Sequence, residues 1–328
     1  MDRVRMGIAG PGRIVHRVMA DLRKAEHIEI AAVASRSIER AKAAAREFGI
    51  PHAFGSYEEM AASNAIDLVY VAVPHPFHCV LTKLFLAGGK HVIVEKPFAL
   101  NATEAREMID CARVNNRYLM EAMWSRFFPA AQALKALIHS GALGDIRLIT
   151  ADFSFRTTPD YEDRLFKREL GGGALLDVGI YPLSLICFYK DALPGEVQVL
   201  SMKAETGVDS LCSFQVQFAD GAVGQGFAGL EVTTDQTLKL YGTEGWAELP
   251  DFWHPTRFTV HRSGQAAQQR VFVPENEGFH NEFEYAARAI LARQTDQCVI
   301  PLAESLRIME IMDAMRVRMG VRYPGEGE

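Results

Sequence analysis

The segment Met6-Gly7-Ile8-Ala9-Gly10-Pro11-Gly12-Arg13 constrains the fold more than any other in this chain. A short apolar run, Val4–Ala9, stops at glycines, and an amphipathic stretch from Ile14 to Arg23 follows at once. A strand feeding a helix through a glycine turn is the opening of a βαβ unit. Gly10 permits the tight turn. Gly12 lets the backbone approach a pyrophosphate at the helix N-terminus, where the amides and the helix dipole favour an anion. Arg13 and Ile14 open that helix and are expected to share the same cofactor contact. Val15 stands where the usual G-x-G-x-x-G/A pattern has its third small residue, a departure expected to widen the helix–strand packing.

The same grammar runs on through the first 120 residues. Ile28–Ala34, Ile66–Val73, His91–Glu95 and Arg117–Met120 read as buried strands. Ser37–Phe48, Phe77–Ala87 and Thr103–Val114 read as helices between them. Strands alternating with helices imply right-handed βαβ units and a parallel sheet. After Met123 the pattern changes. Ala130–His139 is one more helix, and from Ile146 strand patterns dominate: Arg147–Phe155, Val197–Lys203, Ser210–Phe218, Ala222–Glu231, Thr237–Tyr241, Trp246–Leu249, Phe258–His261 and Val271–Val273. Asp220-Gly221 between alternating apolar residues marks a hairpin. Two helical stretches, His280–Arg293 and Leu302–Met319, follow. The expected fold class is α/β: a doubly wound parallel sheet over residues 1–122, then an α+β domain over 123–328 with a large, open, mostly antiparallel sheet. Two domains also suit 328 residues, more than one core usually serves.

A net charge of −6 gives no basic footprint for nucleic acid. The five cysteines (Cys79, Cys111, Cys187, Cys212 and Cys298) are scattered and never form a CxxC pair, which argues against a disulfide framework or structural zinc. No signal-peptide pattern opens the sequence, and no apolar run approaches the roughly 20 residues of a membrane span. The expectation is a cytoplasmic protein with no membrane partner.

Several residues carry chemistry. The second strand ends at Ala34-Ser35-Arg36-Ser37, with Arg40 one helical turn on. An NAD site normally offers an acid there for the ribose hydroxyls. A serine and arginines suit a phosphate instead, so NADP is expected over NAD. Val-Ile-Val-Glu95-Lys96-Pro97 ends a strand. Proline holds Lys96 extended, which aims it out of the carboxyl edge of the sheet, where a lysine can donate to a substrate oxygen. About eighty residues later comes Gly171-Gly172-Gly173-Ala-Leu-Leu-Asp177-Val-Gly179-Ile-Tyr181. Asp177 and Tyr181 are four apart, on one helical face. A tyrosine has a reference pKa near 10, which a neighbouring ammonium lowers toward use as an acid/base. Pro74-His75-Pro-Phe-His78 has HxxH spacing, but no further ligand cluster completes a metal shell. Both histidines are expected to line the nicotinamide instead. Trp124 and Arg126, at the domain junction, are expected to pack over the dinucleotide.

These strings in combination resemble one family. Val73-Pro-His75-Pro-Phe-His78, Ala87-Gly-Gly-Lys-His-Val-Ile-Val-Glu95-Lys96-Pro97, Met123-Trp-Ser-Arg126-Phe-Phe-Pro129 and Leu170-Gly-Gly-Gly-Ala-Leu-Leu-Asp177-Val-Gly-Ile-Tyr181 are similar to the glucose–fructose oxidoreductase / inositol dehydrogenase / rhizopine-catabolism family (Gfo/Idh/MocA). The likeness is greatest to its dimeric dihydrodiol dehydrogenase and NADP-linked xylose dehydrogenase branch, and covers nearly the whole chain. The resemblance implies a Rossmann domain, a substrate domain whose open sheet often forms a dimer interface, and Lys96 as a catalytic residue. Many members carry a histidine four residues after the aspartate; Tyr181 replaces it here, and His75 replaces the usual asparagine, both as in that branch.

The expected activity is reversible hydride transfer between NADP and a hydroxyl-bearing carbon of a sugar, polyol or cyclic trans-diol. Lys96, Tyr181 and Asp177 are the catalytic candidates. Gly10, Gly12, Arg13, Ile14, Ser35, Arg36, Arg40, Pro74, His75, His78, Glu95, Lys96, Trp124 and Arg126 are the cofactor candidates, and Phe155, Asp177 and Tyr181 those for substrate, with no metal. Phe155–Tyr161 and Trp253–Arg257 are the expected specificity segments. Residues near 210–240 offer the surface for a homodimer or dimer of dimers. The rival expectations are a nucleotide-sensing protein without catalysis, a metal-assisted lyase or hydrolase using His75 and His78, and a glycosidase that uses its cofactor redox-neutrally.

Overall fold

A computed structural model describes residues 2–273, 277–295 and 299–326. Cys298 lies outside the described residues. The chain divides into two compact units, residues 1–123 with 276–306, and residues 124–275 with 307–328.

The first unit is a six-stranded, all-parallel sheet with strand order β3-β2-β1-β4-β5-β6. Its strands are β1 Val4–Ala9, β2 Ile28–Ala34, β3 His52–Phe54, β4 Leu68–Val71, β5 His91–Glu95 and β6 Leu119–Ala122. The helices between them are α1 Arg13–Leu22, α2 Ile38–Phe48, α3 Tyr57–Ala62, α4 His78–Ala87 and α5 Ala102–Val114. Central strands buried on both faces read as unbroken apolar runs, and every residue of β4 is buried. Serine and asparagine start three of the helices: Ser37, Ser56 and Asn101 each accept a backbone N–H with the side chain.

β3 and α3 have no counterpart in the expected elements. A three-residue strand and a six-residue helix are too short to show a period. The boundary expected at 122/123 falls one residue later, but residues 276–306, expected in the second domain, join the first unit. The reason is specific docking. Phe279 N–H donates to the buried Asp21 carboxylate of α1 at 2.9 Å, and Phe283 meets Tyr70 edge-on at 5.0 Å. The helix concerned is α8, His280–Leu291.

The second unit is an eight-stranded sheet in the order β14-β13-β12-β11-β7-β10-β9-β8. The strands are β7 Ile146–Ser154, β8 Glu196–Lys203, β9 Asp209–Gln217, β10 Val223–Gly229, β11 Thr237–Gly242, β12 Trp246–Pro250, β13 Arg257–His261 and β14 Gln268–Val271. All neighbours pair antiparallel except β7 with β10. The Asp220-Gly221 hairpin joins β9 to β10 as expected, with Gly221 at φ +81°. The helices are α6 Pro129–His139 and α7 Ile180–Lys190; α9, Leu302–Met319, contains the second division point.

No membrane-length apolar run is expected from the sequence, yet the helical stretch Arg168–Lys190 is long and apolar enough to span one. Its apolar window is 94% buried inside the protein, as in a core helix.

Candidate active site

In the first unit the strand order reverses between β1 and β4, so two loops diverge from their carboxyl ends and leave a crevice there. Gly10 makes the turn out of β1 at φ +91° and donates its N–H to Ala34 O at 3.0 Å. A Cβ on it would lie 2.7 Å from Val73 Cγ1 and 2.9 Å from Ala72 O, so only glycine fits. At Gly12 a Cβ would meet Ala72 O at an ordinary 3.8 Å, so the protein itself leaves room there. Among the described residues no side chain caps the start of α1, which leaves the Gly12–Arg13–Ile14 end suited to an anion. Val15 is wholly buried, so the larger residue packs into the core beneath the turn.

At the end of β2, Ser35 is buried and donates its N–H to Phe54 O. Arg36 and Arg40 are exposed, and neither pairs with a carboxylate among the described residues. The Arg36 guanidinium lies 5.7 Å from the ring centroid of Phe77, which sits in the turn after β4. The loop after β2 and the loop after β4 therefore meet through these side chains.

His75 and His78 follow Pro74 on that second loop, their rings edge to face at 5.6 Å. His75 is 7% exposed. His78 has no exposed surface; one ring nitrogen faces Pro97 O at 3.0 Å and the other Val73 O at 2.9 Å. Burial pushes its pKa down to about 4, and the neutral ring has one N–H, so it donates to one of these two carbonyls and packs against the other, between the β4 and β5 loops. Expected to line the nicotinamide, it has no exposed surface, and both its ring nitrogens lie against backbone carbonyls. The one triad of possible metal-ligating groups among the described residues, Glu26, His27 and Glu284, is elsewhere.

Lys96 follows β5, half-buried, before a cis Lys96–Pro97 bond. Carboxylates hold its loop. Glu95 accepts the Lys96 N–H at 3.2 Å and the Tyr70 hydroxyl, while buried Glu121 accepts Phe98 N–H at 3.0 Å and Ser305 Oγ–H at 2.6 Å. Glu282 is buried nearby, and burial followed by the charges of Glu95 and Glu121 pushes its carboxyl well up. A protonated, neutral Glu282 is the form such a cluster tolerates.

In the second unit, Asp177 and Tyr181 sit where a π-turn, Leu175–Gly179, runs into α7. A π-turn inside a helix is uncommon and tends to mark functional positions. Asp177 is 5% exposed and accepts from Arg164 Nη1 at 2.7 Å. Tyr181 is 6% exposed, and its hydroxyl oxygen accepts the Trp124 indole N–H at 3.1 Å. Phe153 meets the Tyr181 ring edge-on at 5.2 Å, and Trp253 stacks on Phe153 at 5.1 Å. The phenol thus projects from an aromatic wall with one donor aimed at its oxygen, an arrangement that stabilises negative charge developing there.

Trp124, expected over the dinucleotide, directs its N–H to Tyr181 and its ring to Phe128 and Trp253. Arg126, given the same role, is wholly buried in the second unit. Its guanidinium donates to Ser184 Oγ at 3.0 Å and Ser184 O at 2.7 Å and lies 5.2 Å from the Phe188 ring, so it braces α7 and does not reach a ligand. Phe155, expected at the substrate, is half-buried one strand step beyond Phe153, 6.5 Å away ring to ring. Neither Phe153 nor Arg164 is among the residues expected from the sequence. Alternation along β7 puts Phe153 and Phe155 on one face and could have found the first; nothing in the spacing announces Arg164.

A doubly wound parallel sheet is followed by a sheet domain that buries an aspartate and a tyrosine at one helix start. Residues 4–123 match the family model for the GFO_IDH_MocA oxidoreductase family, NAD-binding Rossmann fold, and residues 131–248 match the GFO/IDH/MocA C-terminal domain. The chain belongs to the Gfo/Idh/MocA oxidoreductase family. It is 34% identical to the trans-1,2-dihydrobenzene-1,2-diol dehydrogenase of Mus musculus, over 98% of each chain, and 35% identical to that of Oryctolagus cuniculus, over 94% of this chain and 95% of that one. Among solved structures it shares its fold with an aldose–aldose oxidoreductase from Caulobacter crescentus, at TM-score 0.89 and 24% identity, covering 97% of this chain and 98% of that one. Relatives named as dehydrogenases acting on diols, together with the family assignment, make this an enzyme of the class that oxidises or reduces CH–OH carbons.

Proposed function

We propose that the protein transfers hydride reversibly between NADP and a hydroxyl-bearing carbon of a sugar, polyol or cyclic trans-diol, with Tyr181 and Lys96 serving the proton. The observation that carries the reading is the Tyr181 phenol, nearly buried in an aromatic wall and hydrogen-bonded by Trp124, four residues from Asp177. The Gly10 cradle and the uncapped start of α1 fit a dinucleotide pyrophosphate. The nicotinamide supplies the hydride acceptor or donor. Tyr181 takes the hydroxyl proton during oxidation and returns it during reduction. Lys96 supplies positive charge that favours the phenolate. Asp177, fixed by Arg164, orients a substrate hydroxyl. NADP turnover with trans-1,2-dihydrobenzene-1,2-diol and a panel of aldoses tests the reading; no turnover with any of them would count against it.

NADP rather than NAD is supported by Arg36, just after β2, and Arg40, in the first turn of α2, both exposed without carboxylate partners among the described residues. A guanidinium meets a phosphate through charge-assisted hydrogen bonds worth about 1.5–3 kcal/mol, roughly ten- to a hundredfold in affinity. Arg36→Ala is therefore expected to weaken NADP binding by about that factor while leaving NAD binding nearly unchanged, as calorimetry with both nucleotides would read. Equal losses for the two would remove Arg36 from the specificity argument.

The indole hydrogen bond makes a second expectation. Trp124→Phe keeps an aromatic ring but removes the donor to Tyr181. kcat should fall about tenfold, with KM changing less, if the bond matters most when the oxygen carries charge. An unchanged kcat would reduce Trp124 to packing.

A homodimer or dimer of dimers through the second unit's sheet is supported by its outward face. Tyr241, Trp246 and His261 form a ladder across β11, β12 and β13, stacked at 6.0 and 3.7 Å, on the side opposite buried Leu240, Ala247 and Val260. A cytoplasmic setting is supported by Cys79, Cys111, Cys187 and Cys212, all free thiols.

A further inference from the structure

We propose that Asp209, which lies outside the reacting groups, is the positioning residue that holds the helix start carrying Asp177 and Tyr181. The proposal rests on the catalytic reading of those two side chains. Asp209 is the first residue of β9 and has no exposed surface. Its Oδ2 accepts the Leu175 N–H at 2.6 Å, and Leu175 opens the π-turn. Its Oδ1 makes no hydrogen bond among the described residues and lies against Gly173. A Cβ on Gly173 would stand 2.4 Å from that oxygen, and Gly173 has φ +122°, so glycine is required there twice over. The turn is gripped from a second side by buried Tyr323, whose hydroxyl donates to Gly172 O at 2.6 Å.

From this anchor the path to the site is short. Asp177 N–H bonds back to Gly173 O at 3.2 Å, and Tyr181 is the second residue of α7. A shift at Leu175 is carried through one stretch of hydrogen-bonded backbone to both side chains. A carboxylate is an expensive choice for a buried anchor unless its charge is used, because an ionised group loses its hydration. At a helix start the charge has a use: it strengthens the bond to an amide and complements the helix dipole.

The groups facing Asp209 are Cys212 on its own strand, Tyr323, and Arg316 of α9, which pairs with Asp313 and Glu326 and lies 4.9 Å from the Tyr323 ring. Burial pushes the Asp209 carboxyl up to about 7, against the opposing pull of the Leu175 N–H and Arg316. The grip on Leu175 is therefore tightest above that pH. The sign for stability is the reverse. The folded protein holds this proton more firmly than the unfolded chain, whose aspartate titrates near ~4. Stability from this group thus falls as pH rises from ~4 to about 7 and is flat beyond.

Asp209→Ala and Asp209→Asn in the full chain test the assignment through hydrogen exchange of peptides spanning 172–182, together with kcat, KM and their pH profiles. Asp209→Ala is expected to speed exchange in that segment about tenfold and lower kcat by a similar factor, with KM little changed. Asp209→Asn keeps an acceptor for Leu175, so it should fold and regain much of the lost rate, but lose both the kcat inflection near 7 and the slope of melting temperature below it. Wild-type exchange and kcat in both variants would overturn the proposal. So would an inflection retained in Asp209→Asn, or activity that falls only with the folded fraction. If the wild type turned over no diol or aldose, the catalytic reading would fail, while exchange at 172–182 would still decide whether Asp209 holds the helix start.

Discussion

Tyr181→Phe is expected to lower kcat by about 10²–10⁴, equivalent to roughly 3–5 kcal/mol of barrier, while NADP affinity and melting temperature stay close to wild type. The ring and its contacts with Phe153 survive the change; only the hydroxyl that accepts from Trp124 is lost. The lost oxygen is the one assigned to the substrate proton, so the effect belongs in kcat rather than in binding. Lys96→Ala should act on the same step, and, under the proposed mechanism in which both groups serve one proton transfer, the two changes together should cost less than the product of their separate factors. A Tyr181→Phe enzyme within a few-fold of wild type would move the acid/base role elsewhere.

Gly10→Ala and Gly12→Ala form the second test, and they should behave differently. At Gly10 an alanine meets Val73 Cγ1 at 2.7 Å and the Ala72 carbonyl at 2.9 Å, at a φ of +91°. The backbone strain costs about 1–2 kcal/mol and the overpacking about 1–3, so stability should fall by roughly 2–5 kcal/mol and dinucleotide binding should be lost with the turn. At Gly12 the new methyl finds only Ala72 O at 3.8 Å and the φ of −92° is ordinary, so folding should be untouched. Its effect should appear only when a pyrophosphate must approach, as a tenfold or greater loss of affinity read by calorimetry against an unchanged melting curve. If Gly12→Ala bound NADP like wild type, the phosphate would not lie against that backbone.

Much of this is legible in the sequence alone. The first unit's sheet followed from the alternation of apolar runs with helical stretches, and the second sheet from turn residues such as Asp220-Gly221. The parts that escaped have physical reasons. Parallel pairing of β7 with β10 leaves no local signal, because the partners are joined by no hairpin. The return of residues 276–306 to the first unit depends on Asp21 capping at Phe279, a long-range bond that no period encodes. Arg126 and His78 look like ligand contacts because polar side chains are usually exposed. Only packing reveals that one braces Ser184 and the other ties two loops together. The Asp177–Tyr181 spacing pointed to a shared helical face, whereas a π-turn leads from one to the other, and π-turns have no sequence period to read.

The central claim is net, NADP-linked oxidation of a CH–OH carbon. The most direct test takes purified enzyme freed of carried-over nucleotide, adds NADP or NAD, and follows reduced-cofactor absorbance with trans-1,2-dihydrobenzene-1,2-diol and a series of aldoses. NADPH accumulating with at least one of these, faster than NADH and dependent on Tyr181, is the predicted result. Tight NADP binding with no net NADPH from any diol or aldose would contradict it.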